Sequence, residues 1–315
     1  MEEQPPSVDI LLATYNGEEF LREQLDSIFK QTYVYYHIYI RDDGSTDQTL
    51  EIVKSYQQQY PEKITLIQDD EKNLGAAQNF SRLLDYSKAA YIAFCDQDDV
   101  WLPEKLEVAL RELKKLEQAN PPKPCLVYSD MKQIDENGTM TSDSVWNQMH
   151  LRPEYFTFNR LLIQNIPHGC AMVFNRRMKE LVSPIPAAAI LHDHWIAIVA
   201  AAMGIHKAVQ QPLLLLRNHA RNVTRKKVPL LVKIPRFASN ILSDEAYEKV
   251  VQLRVGQARA VKERFALQLS SQQLHTLDQC ILLGATKGLR RKWIYLKNGF
   301  LRTTFMYSLK MILRG

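Results

Sequence analysis

Cysteine is scarce in this sequence, and the spacing of the few cysteines excludes two common kinds of cross-linked protein. Only 4 of the 315 residues are cysteine, at positions 95, 125, 170 and 280, and no two form a Cys-x-x-Cys pair. A disulfide framework and a structural zinc site both need cysteines at short, regular spacing. We therefore expect reduced, mostly buried thiols and no structural metal.

Long hydrophobic runs are also missing. The longest nearly unbroken apolar stretch spans residues 195–205, whereas a membrane-spanning helix needs ~20 apolar residues. The first residues, MEEQPPS, are acidic and are followed by only a short apolar run, unlike a signal peptide or a transit peptide. We therefore expect a cytoplasmic protein with no segment that crosses a bilayer.

The glycine-rich motifs that bind nucleotides in many proteins are absent. The 11 glycines form neither Gly-x-Gly-x-x-Gly nor Gly-x-x-x-x-Gly-Lys, so neither a dinucleotide-binding fold nor a P-loop is supported. Two acidic clusters are present, but neither has the glycine and distal glutamate of an EF-hand. The length and the 46% hydrophobic content fit one large α/β domain with an appendage, or two ordinary domains.

Charge is divided unevenly along the chain. Residues 225–315 contain 18 Lys and Arg against 5 Asp and Glu, a net charge of +13, while the first 224 residues carry −8. The protein therefore has an acidic body and a basic tail. The tail has no recognisable nucleic-acid-binding motif, so we expect no nucleic acid partner.

The first part of the chain alternates short apolar runs with amphipathic helical segments. This order predicts an α/β fold with a mostly parallel sheet that is covered on both faces. From residue 228 onward the pattern is helical, polar and basic, and the segment PLLLLRNHARNVT predicts a last strand that leaves the core. The other predicted strands cover residues 8–13, 37–40, 64–67, 91–95, 126–129 and 171–174.

Three polar segments follow predicted strands: TYNGE, RDDGSTD and DQDD. In a parallel sheet ligands bind at the carboxyl ends of the strands, so we expect all three segments to line one crevice. Asp42 and Asp43 can accept hydrogen bonds from a base N–H or a ribose hydroxyl. The alternative is a turn at Gly44 with a helix cap from Ser45 or Thr46.

The segment DQDD, with Asp96, Asp98 and Asp99, crowds like charges that repel one another. Hard divalent cations prefer oxygen ligands, and an Asp-x-Asp pair at a strand end can reach one. In a group-transfer reaction, such an ion can neutralise the negative charge of a diphosphate leaving group. The alternative is a solvated acidic turn before a helix that Pro103 opens.

Together these segments resemble the inverting glycosyltransferases of sequence family two, which have the GT-A nucleotide-sugar-binding fold. Among them the sequence is most similar to bacterial rhamnosyltransferases that build cell-wall, capsular or O-antigen chains. The resemblance implies a GT-A domain over residues 1–225 and a helical basic region over residues 226–315. The matching segments are ILLATYNGEEFLREQLDSI, IRDDGSTDQTLEIV, NLGAAQNF, AFCDQDDVWLPEKLE, LVYSD, HDHW and LRNHARNV.

The resemblance also implies roles for individual residues. In the nucleotide-sugar site, the base pocket is walled by Ala13, Thr14 and Tyr15. The base and ribose are held by Asp42 and Asp43, and two further residues, Asn73 and Gly75, lie near the nucleotide. Asp96 faces ribose or sugar, Asp98 is nearest the metal, and Asp193 is the catalytic base. Arg217 meets phosphate, and His219 completes the metal shell.

Elementary chemistry independently favours Asp193 as the base. An inverting transfer needs one carboxylate to take the proton of the acceptor hydroxyl as that oxygen attacks the anomeric carbon. Asp193 begins an apolar helix, where burial raises its pKa and the helix amino terminus favours its ionised form. The alternative is an ordinary helix-capping aspartate.

The sequence departs from the family pattern on the side expected to bind sugar and acceptor. The usual His-Asp-Trp-Trp reads His-Asp-His-Trp, with His194 in place of an aromatic residue beside Trp195. His168 stands where family members more often have a small residue. We assign His168, His194 and Trp195 to the acceptor side, with Trp195 partly in the core.

The basic tail has an amphipathic segment. Residues 279–315 contain eight Lys and Arg and no acid, and four apolar residues recur at helical spacing: Leu289, Trp293, Leu296 and Phe300. Basic helices with aromatic anchors bind the anionic inner face of the cell membrane. The alternative is a helix packed on the catalytic domain with a solvated basic face.

These observations predict a metal-dependent inverting glycosyltransferase. The resemblance implies Mn²⁺ or Mg²⁺ as cofactor, dTDP-rhamnose as donor of L-rhamnose, and a lipid-linked precursor of a bacterial surface polysaccharide as acceptor. The protein is then cytoplasmic and peripheral at the inner face of the membrane. Transfer of galactose, glucose or N-acetylhexosamine, a non-catalytic glycan-binding protein, and assembly as a homo-oligomer all stay open.

Overall fold

A computed structural model describes residues 7–222 and 244–303, together with residues 308, 309 and 312. The strands in these residues are β1 (Val8–Thr14), β2 (Tyr36–Asp42), β3 (Ile64–Ile67), β4 (Tyr91–Asp96), β5 (Val100–Trp101), β6 (Cys125–Asp135), β7 (Met140–Ser142), β8 (Met172–Asn175) and β9 (Ile205–Asn218). The helices are α1 (Leu21–Phe29), α2 (Thr49–Gln59), α3 (Ala76–Tyr86), α4 (Lys105–Ala119), α5 (Val145–Gln148), α6 (Phe158–Leu161), α7 (Arg176–Val182), α8 (His192–Met203), α9 (Asp244–Phe265), α10 (Ser271–Leu282) and α11 (Gly288–Lys297).

The strands form one mixed sheet in the order β3-β2-β1-β4-β8-β6-β9-β5, and β7 pairs with β6. All neighbours among β3, β2, β1 and β4 are parallel, whereas β8 runs antiparallel to both β4 and β6. The predicted α/β class with parallel strands is therefore confirmed. The parallel half carries the three polar segments at one edge.

Alternate residues of the central strands enter two hydrophobic clusters on opposite faces of the sheet. On β4, Ile92 and Phe94 belong to one cluster, and Ala93 and Cys95 belong to the other. All four side chains are completely buried. A strand that is covered on both faces needs a continuous apolar run, which explains why the sequence of β4 was recognisable without its neighbours.

The C-terminal helices share the larger of these clusters with the rest of the chain. Phe265 of α9 stacks on Trp195 of α8, with ring centroids 6.0 Å apart. Gln257 Oε1 accepts a hydrogen bond from the backbone N–H of Ile190 at 2.9 Å. The predicted helical character is present in α9, α10 and α11, while the predicted helical residues 228–243 and most of 304–315 lie outside the described residues.

The last strand differs from the prediction. β9 has 14 residues and lies inside the sheet between β6 and β5, whereas the sequence predicted a strand that leaves the core. Its first seven residues mix polar and apolar side chains, and only three of them are exposed, so only the run Leu213 to Leu216 gave a continuous apolar signal. The two-residue strand β5 pairs with this run and was not predicted. Within the described residues, no helix is long and apolar enough to cross a membrane.

Candidate active site

The register of the parallel strands brings the three polar segments together. Ala13 of β1 is paired with Asp96 of β4, and Thr14 is paired with Asp42 of β2. The segments TYNGE, RDDGSTD and DQDD therefore leave neighbouring strands at the same edge of the sheet. The register confirms that the segments lie together, and the crevice that they were expected to line stays a prediction.

Asp42 organises the turn that follows β2. Its Oδ1 accepts a hydrogen bond from the Thr14 hydroxyl at 2.9 Å, and its Oδ2 accepts the backbone N–H groups of Gly44 and Ser45 at 3.0 and 2.7 Å. These are the contacts of the turn that the sequence offered as an alternative. A contact of Asp42 with base or ribose stays a prediction.

Asp43 connects this turn to the segment before α3. Its two carboxylate oxygens accept the backbone N–H groups of Leu74 and Gly75 at 2.9 and 2.8 Å. Asn73 and Gly75 both have positive φ angles, 57° and 78°, which is the region that favours glycine and tolerates asparagine. The residues predicted to lie near the nucleotide are thus part of one hydrogen-bonded unit.

Arg41 is a further residue of this unit that the sequence did not reveal. Its guanidinium is buried and donates two hydrogen bonds to Asp69, both at 2.8 Å, and one to the Asn79 side chain at 3.0 Å. It also lies 3.3 Å from Asp43. Bidentate pairs of this kind fix geometry, so Arg41 holds the end of β2 against the segment after β3.

The residues of the DQDD segment meet the end of β9. The Nε2 atom of His219 lies 2.8 Å from Asp98 Oδ2, and the Asn222 amide donates to the same oxygen at 3.3 Å. Asp96 is half-buried and Asp99 is buried. Asp98 and His219, which the resemblance assigned to one metal shell, are therefore neighbours. Asn222 is an additional partner that the sequence reasoning missed.

Arg217 braces this loop with its backbone and side chain. Its backbone N–H donates to Asp99 Oδ1 at 3.1 Å, and its Nε donates to the backbone carbonyl of Asp98 at 3.0 Å. The same guanidinium forms an ion pair with Glu23 at 2.5 Å and is only 2% exposed. These partners differ from the predicted phosphate, and a phosphate contact stays a prediction.

A buried lysine lies beside the crowded carboxylates. Burial, together with the neighbouring carboxylates, raises the pKa of Asp99 to about 7 and that of Asp96 well above its usual value. The positive charge of Lys105 opposes both shifts, and burial lowers the pKa of Lys105 itself to about 8. Its Nζ donates to the Cys170 carbonyl and lies 3.6 Å from the centroid of the Trp101 ring. Lys105 thus places a positive charge beside the carboxylates of the DQDD segment.

Asp193 lies in the first turn of α8 and is 7% exposed. Its Oδ2 accepts the backbone N–H of Gly169 at 3.1 Å, and its Oδ1 accepts that of His194 at 2.6 Å. Burial raises its pKa to about 6, while these hydrogen bonds act in the opposite direction. Its charge also contributes to the raised pKa of Asp96, so the two carboxylates are close enough to interact. A carboxylate with this pKa can accept a proton near neutral pH.

The three residues assigned to the acceptor side have different environments. Trp195 is completely buried, and its indole N–H donates to the Val182 carbonyl at 3.0 Å. His194 is also buried, with Nε2 2.5 Å from the Leu161 carbonyl. Both therefore pack in the core, which differs from the predicted acceptor contact, because α6 contacts His194 while α7 and α9 contact Trp195. His168 is partly exposed, and its acceptor role stays a prediction.

Comparison with known proteins identifies the family. A model described as "Glycosyl transferase family 2" matches residues 9–181. The chain belongs to glycosyl transferase family 2. This family 2 chain is 28% identical over 251 residues to the dTDP-rhamnosyl transferase RfbG of Shigella flexneri, an alignment that covers 76% of the chain and 82% of RfbG.

Solved structures share the fold of this family 2 chain. The match to TarS of S. aureus in complex with UDP-GlcNAc covers 97% of this chain and 83% of the TarS chain, with a TM-score of 0.56 and 16% identity. The match to the mannosyltransferase PcManGT of Pyrobaculum calidifontis, in complex with GDP-Man and Mn²⁺, covers 99% of this chain and 85% of the PcManGT chain. Its TM-score is 0.52, with 19% identity. The predicted GT-A fold is thereby confirmed.

Proposed function

We propose that this glycosyltransferase is metal-dependent and inverting, and that it transfers L-rhamnose from dTDP-rhamnose to a hydroxyl of a lipid-linked precursor of a bacterial surface polysaccharide. The identity with RfbG over most of both chains supports the choice of sugar. The observation that carries the proposed chemistry is Asp193, a buried carboxylate with a pKa raised to about 6 beside the acidic loop.

In this proposal Asp193 is the general base. Its ionised carboxylate accepts the proton of the acceptor hydroxyl as that oxygen forms a bond to the anomeric carbon. The bond from the same carbon to the diphosphate breaks on the opposite side, so the configuration is inverted. The N–H groups of Gly169 and His194 orient the carboxylate and favour its ionised form.

Asp98 and His219, the residues assigned to the metal, offer a carboxylate oxygen and an imidazole nitrogen that lie 2.8 Å apart. A carboxylate and an imidazole suit Mn²⁺, and carboxylates also suit Mg²⁺. The raised pKa of Asp96 has burial as its main cause, followed by the neighbouring charges of Asp99 and Asp98, and a cation relieves that repulsion. When bound, the metal would neutralise the charge on the departing diphosphate.

The nucleotide is proposed to lie along the ends of β1 and β2. Tyr15 is 44% exposed, so its ring has a free face on which a base can stack. The residues proposed to contact the nucleotide sugar are those named from the resemblance: Ala13, Thr14, Tyr15, Asp42, Asp43, Asn73, Gly75, Asp96 and Arg217.

The acceptor is proposed to be presented at the cytoplasmic face of the membrane, where α11 binds anionic lipid. Three large apolar residues of this helix are exposed, Leu289 by 85%, Trp293 by 55% and Leu296 by 58%. Lys287, Arg290 and Lys297 are exposed around them. This face combines apolar anchors with positive charge, the chemistry that binds anionic bilayers.

Two residues of the predicted amphipathic segment face inward. Phe300 is completely buried and Arg291 is 1% exposed, where it forms an ion pair with Glu248 at 2.6 Å. The side of α11 that carries Ile294 and Tyr295 packs on the protein. The lipid-facing set therefore excludes Phe300, although the sequence spacing included it.

The proposal is tested by incubating the protein with dTDP-rhamnose, UDP-galactose, UDP-glucose and UDP-N-acetylglucosamine, each with Mn²⁺ or Mg²⁺. Release of nucleoside diphosphate and thermal protection are measured. Asp193→Asn keeps the size of the side chain, so it should lose turnover while it retains protection by the nucleotide. Asp143→Asn, which changes an exposed carboxylate, should retain both.

Release from another donor in preference to dTDP-rhamnose would overturn the choice of rhamnose and leave the enzyme class intact. Unchanged turnover in Asp193→Asn would overturn the assignment of the base. Protection without release from any donor would favour a non-catalytic glycan-binding protein.

A further inference from the structure

The side chain of Gln97 makes two hydrogen bonds to the backbone of one other residue. Its Oε1 accepts the N–H of Tyr15 at 2.8 Å, and its Nε2 donates to the Tyr15 carbonyl at 2.9 Å. Gln97 is the residue between Asp96 and Asp98. A single side chain therefore joins the DQDD segment, which is proposed to hold the metal, to Tyr15, which is proposed to contact the base.

This contact continues the pairing of β1 with β4 beyond the ends of the strands. The last residues in register are Ala13 and Asp96. The amide of Gln97 presents one acceptor and one donor to Tyr15, as the backbone of a neighbouring strand does. The position of Tyr15 is thereby set by a side chain, which a substitution can remove.

Gly17 provides the space for this amide. A Cβ atom on Gly17 would overlap the side-chain amide of Gln97. The backbone N–H of Gly17 donates to the Thr49 hydroxyl at 2.8 Å, so the glycine is itself held in place. Any larger residue at position 17 would force the glutamine amide away from Tyr15.

We propose that Gln97 is a positioning residue that holds Tyr15 in the conformation that binds the nucleobase. The inference rests on the proposed function, because it assumes that the exposed ring of Tyr15 stacks on a base. Without the two hydrogen bonds, the segment after β1 spends less time in this conformation. The apparent dissociation constant of the nucleotide then rises by the same factor.

The test compares Gln97→Met with the unchanged protein. Methionine has a similar length and offers no matching donor and acceptor. With Mn²⁺ present, we expect dTDP to bind about tenfold more weakly, from the loss of two hydrogen bonds. Inorganic pyrophosphate, which has no base, should bind equally to both proteins. Gln59→Met, an exposed glutamine on α2, is the matched control and should change neither affinity.

A double-mutant cycle tests the proposed contact directly. The single variants Gly17→Ala and Gln97→Ala should each weaken dTDP binding, as Gln97→Met does. The double variant Gly17→Ala, Gln97→Ala should bind dTDP about as weakly as Gln97→Ala alone. Additive losses would overturn the proposal, since both changes are argued to act through one contact. An equal loss of pyrophosphate and dTDP binding would also overturn it, because that result indicates a general disturbance of the site.

Failure of this inference can be told apart from failure of the proposed function. If the unchanged protein binds dTDP, UDP or GDP and Gln97→Met binds it equally well, the role of Gln97 is wrong and the proposed function stands. If the unchanged protein binds none of the three with Mn²⁺, the nucleotide site itself is wrong, and the role of Gln97 is overturned with it.

Discussion

The Nε2 atom of His219 lies 2.8 Å from Oδ2 of Asp98, although 121 residues separate them in the sequence. Phe20 also packs against this imidazole, with ring centroids 4.8 Å apart. His219 is 7% exposed, so its ring has little freedom to turn away. The loop that carries the carboxylates is therefore supported from the C-terminal end of β9.

Substitution of His219 should weaken metal binding. His219→Ala removes both a candidate ligand and a partner of Asp98, and we expect Mn²⁺ to bind roughly 10- to 100-fold more weakly. Electron paramagnetic resonance of free Mn²⁺ measures the affinity without substrate. His150→Ala, at an exposed histidine, is the control, and equal affinities in all three proteins would remove His219 from the site.

The rate of transfer should depend on pH through Asp193. Burial raises its pKa to about 6, and the base acts in its ionised form. Activity should therefore be lost as the pH falls through about 6 and be constant above it. A profile of kcat/KM between pH 5 and 8 checks this, and a fall centred near pH 4 would contradict the burial argument.

Stability should also depend on pH through His192. This ring packs on Phe80 and Phe94, and burial lowers its pKa to about 3. The unfolded chain binds a proton near pH 6.5 that the folded chain does not, so the free energy of unfolding decreases as the pH falls below 6.5. Between pH 7 and 5 this residue contributes a loss of about 2 kcal/mol.

The variant His192→Leu cannot bind that proton, so it should lose this part of the pH dependence. Urea denaturation at pH 7 and pH 5 measures it. His150→Leu changes an exposed histidine and should keep the pH dependence of the unchanged protein. A His192→Leu protein that weakens on acidification as much as the unchanged protein would contradict the prediction.

The two tryptophans of α8 and α11 should respond differently to truncation. Trp195 is completely buried and Trp293 is 55% exposed. Trp195→Ala should lower the free energy of unfolding by about 3 to 5 kcal/mol, whereas Trp293→Ala should lower it by only about 0.5 kcal/mol or less. If urea denaturation shows the same loss in the free energy of unfolding for both variants, Trp195 is not enclosed in the core.

The exposed face of α11 should direct binding to anionic lipid. Replacing Leu289, Trp293 and Leu296 together with serine should reduce sedimentation with phosphatidylglycerol vesicles and leave the fold intact. Leu267→Ser changes a fully exposed leucine outside this face and serves as control. Equal sedimentation of the triple variant and the unchanged protein would remove the membrane proposal, and binding to phosphatidylcholine alone would remove its electrostatic part.

Much of the fold could be predicted from the sequence because its signals are local. The strand at residues 64–67 was predicted with the bounds it has, and β1, β2 and β4 were predicted to within two residues at each end. Each is a short apolar run between polar turns, and burial on both faces demands that pattern wherever the strand lies. The helix α8, which has Asp193 in its first turn, was also recognisable from a local signal, because its interior is nearly all apolar.

The environment of each site residue was decided by tertiary structure. The sequence supplied the carboxylates of DQDD, the acid at the start of α8 and the basic tail. It did not reveal that Lys105 lies beside those carboxylates, that Gln97 holds Tyr15, or that Trp195 is enclosed. These contacts join residues far apart in the chain, so they depend on strand order and helix packing. Local periodicity determines which elements form, and only their assembly determines which side chains meet and which stay in water.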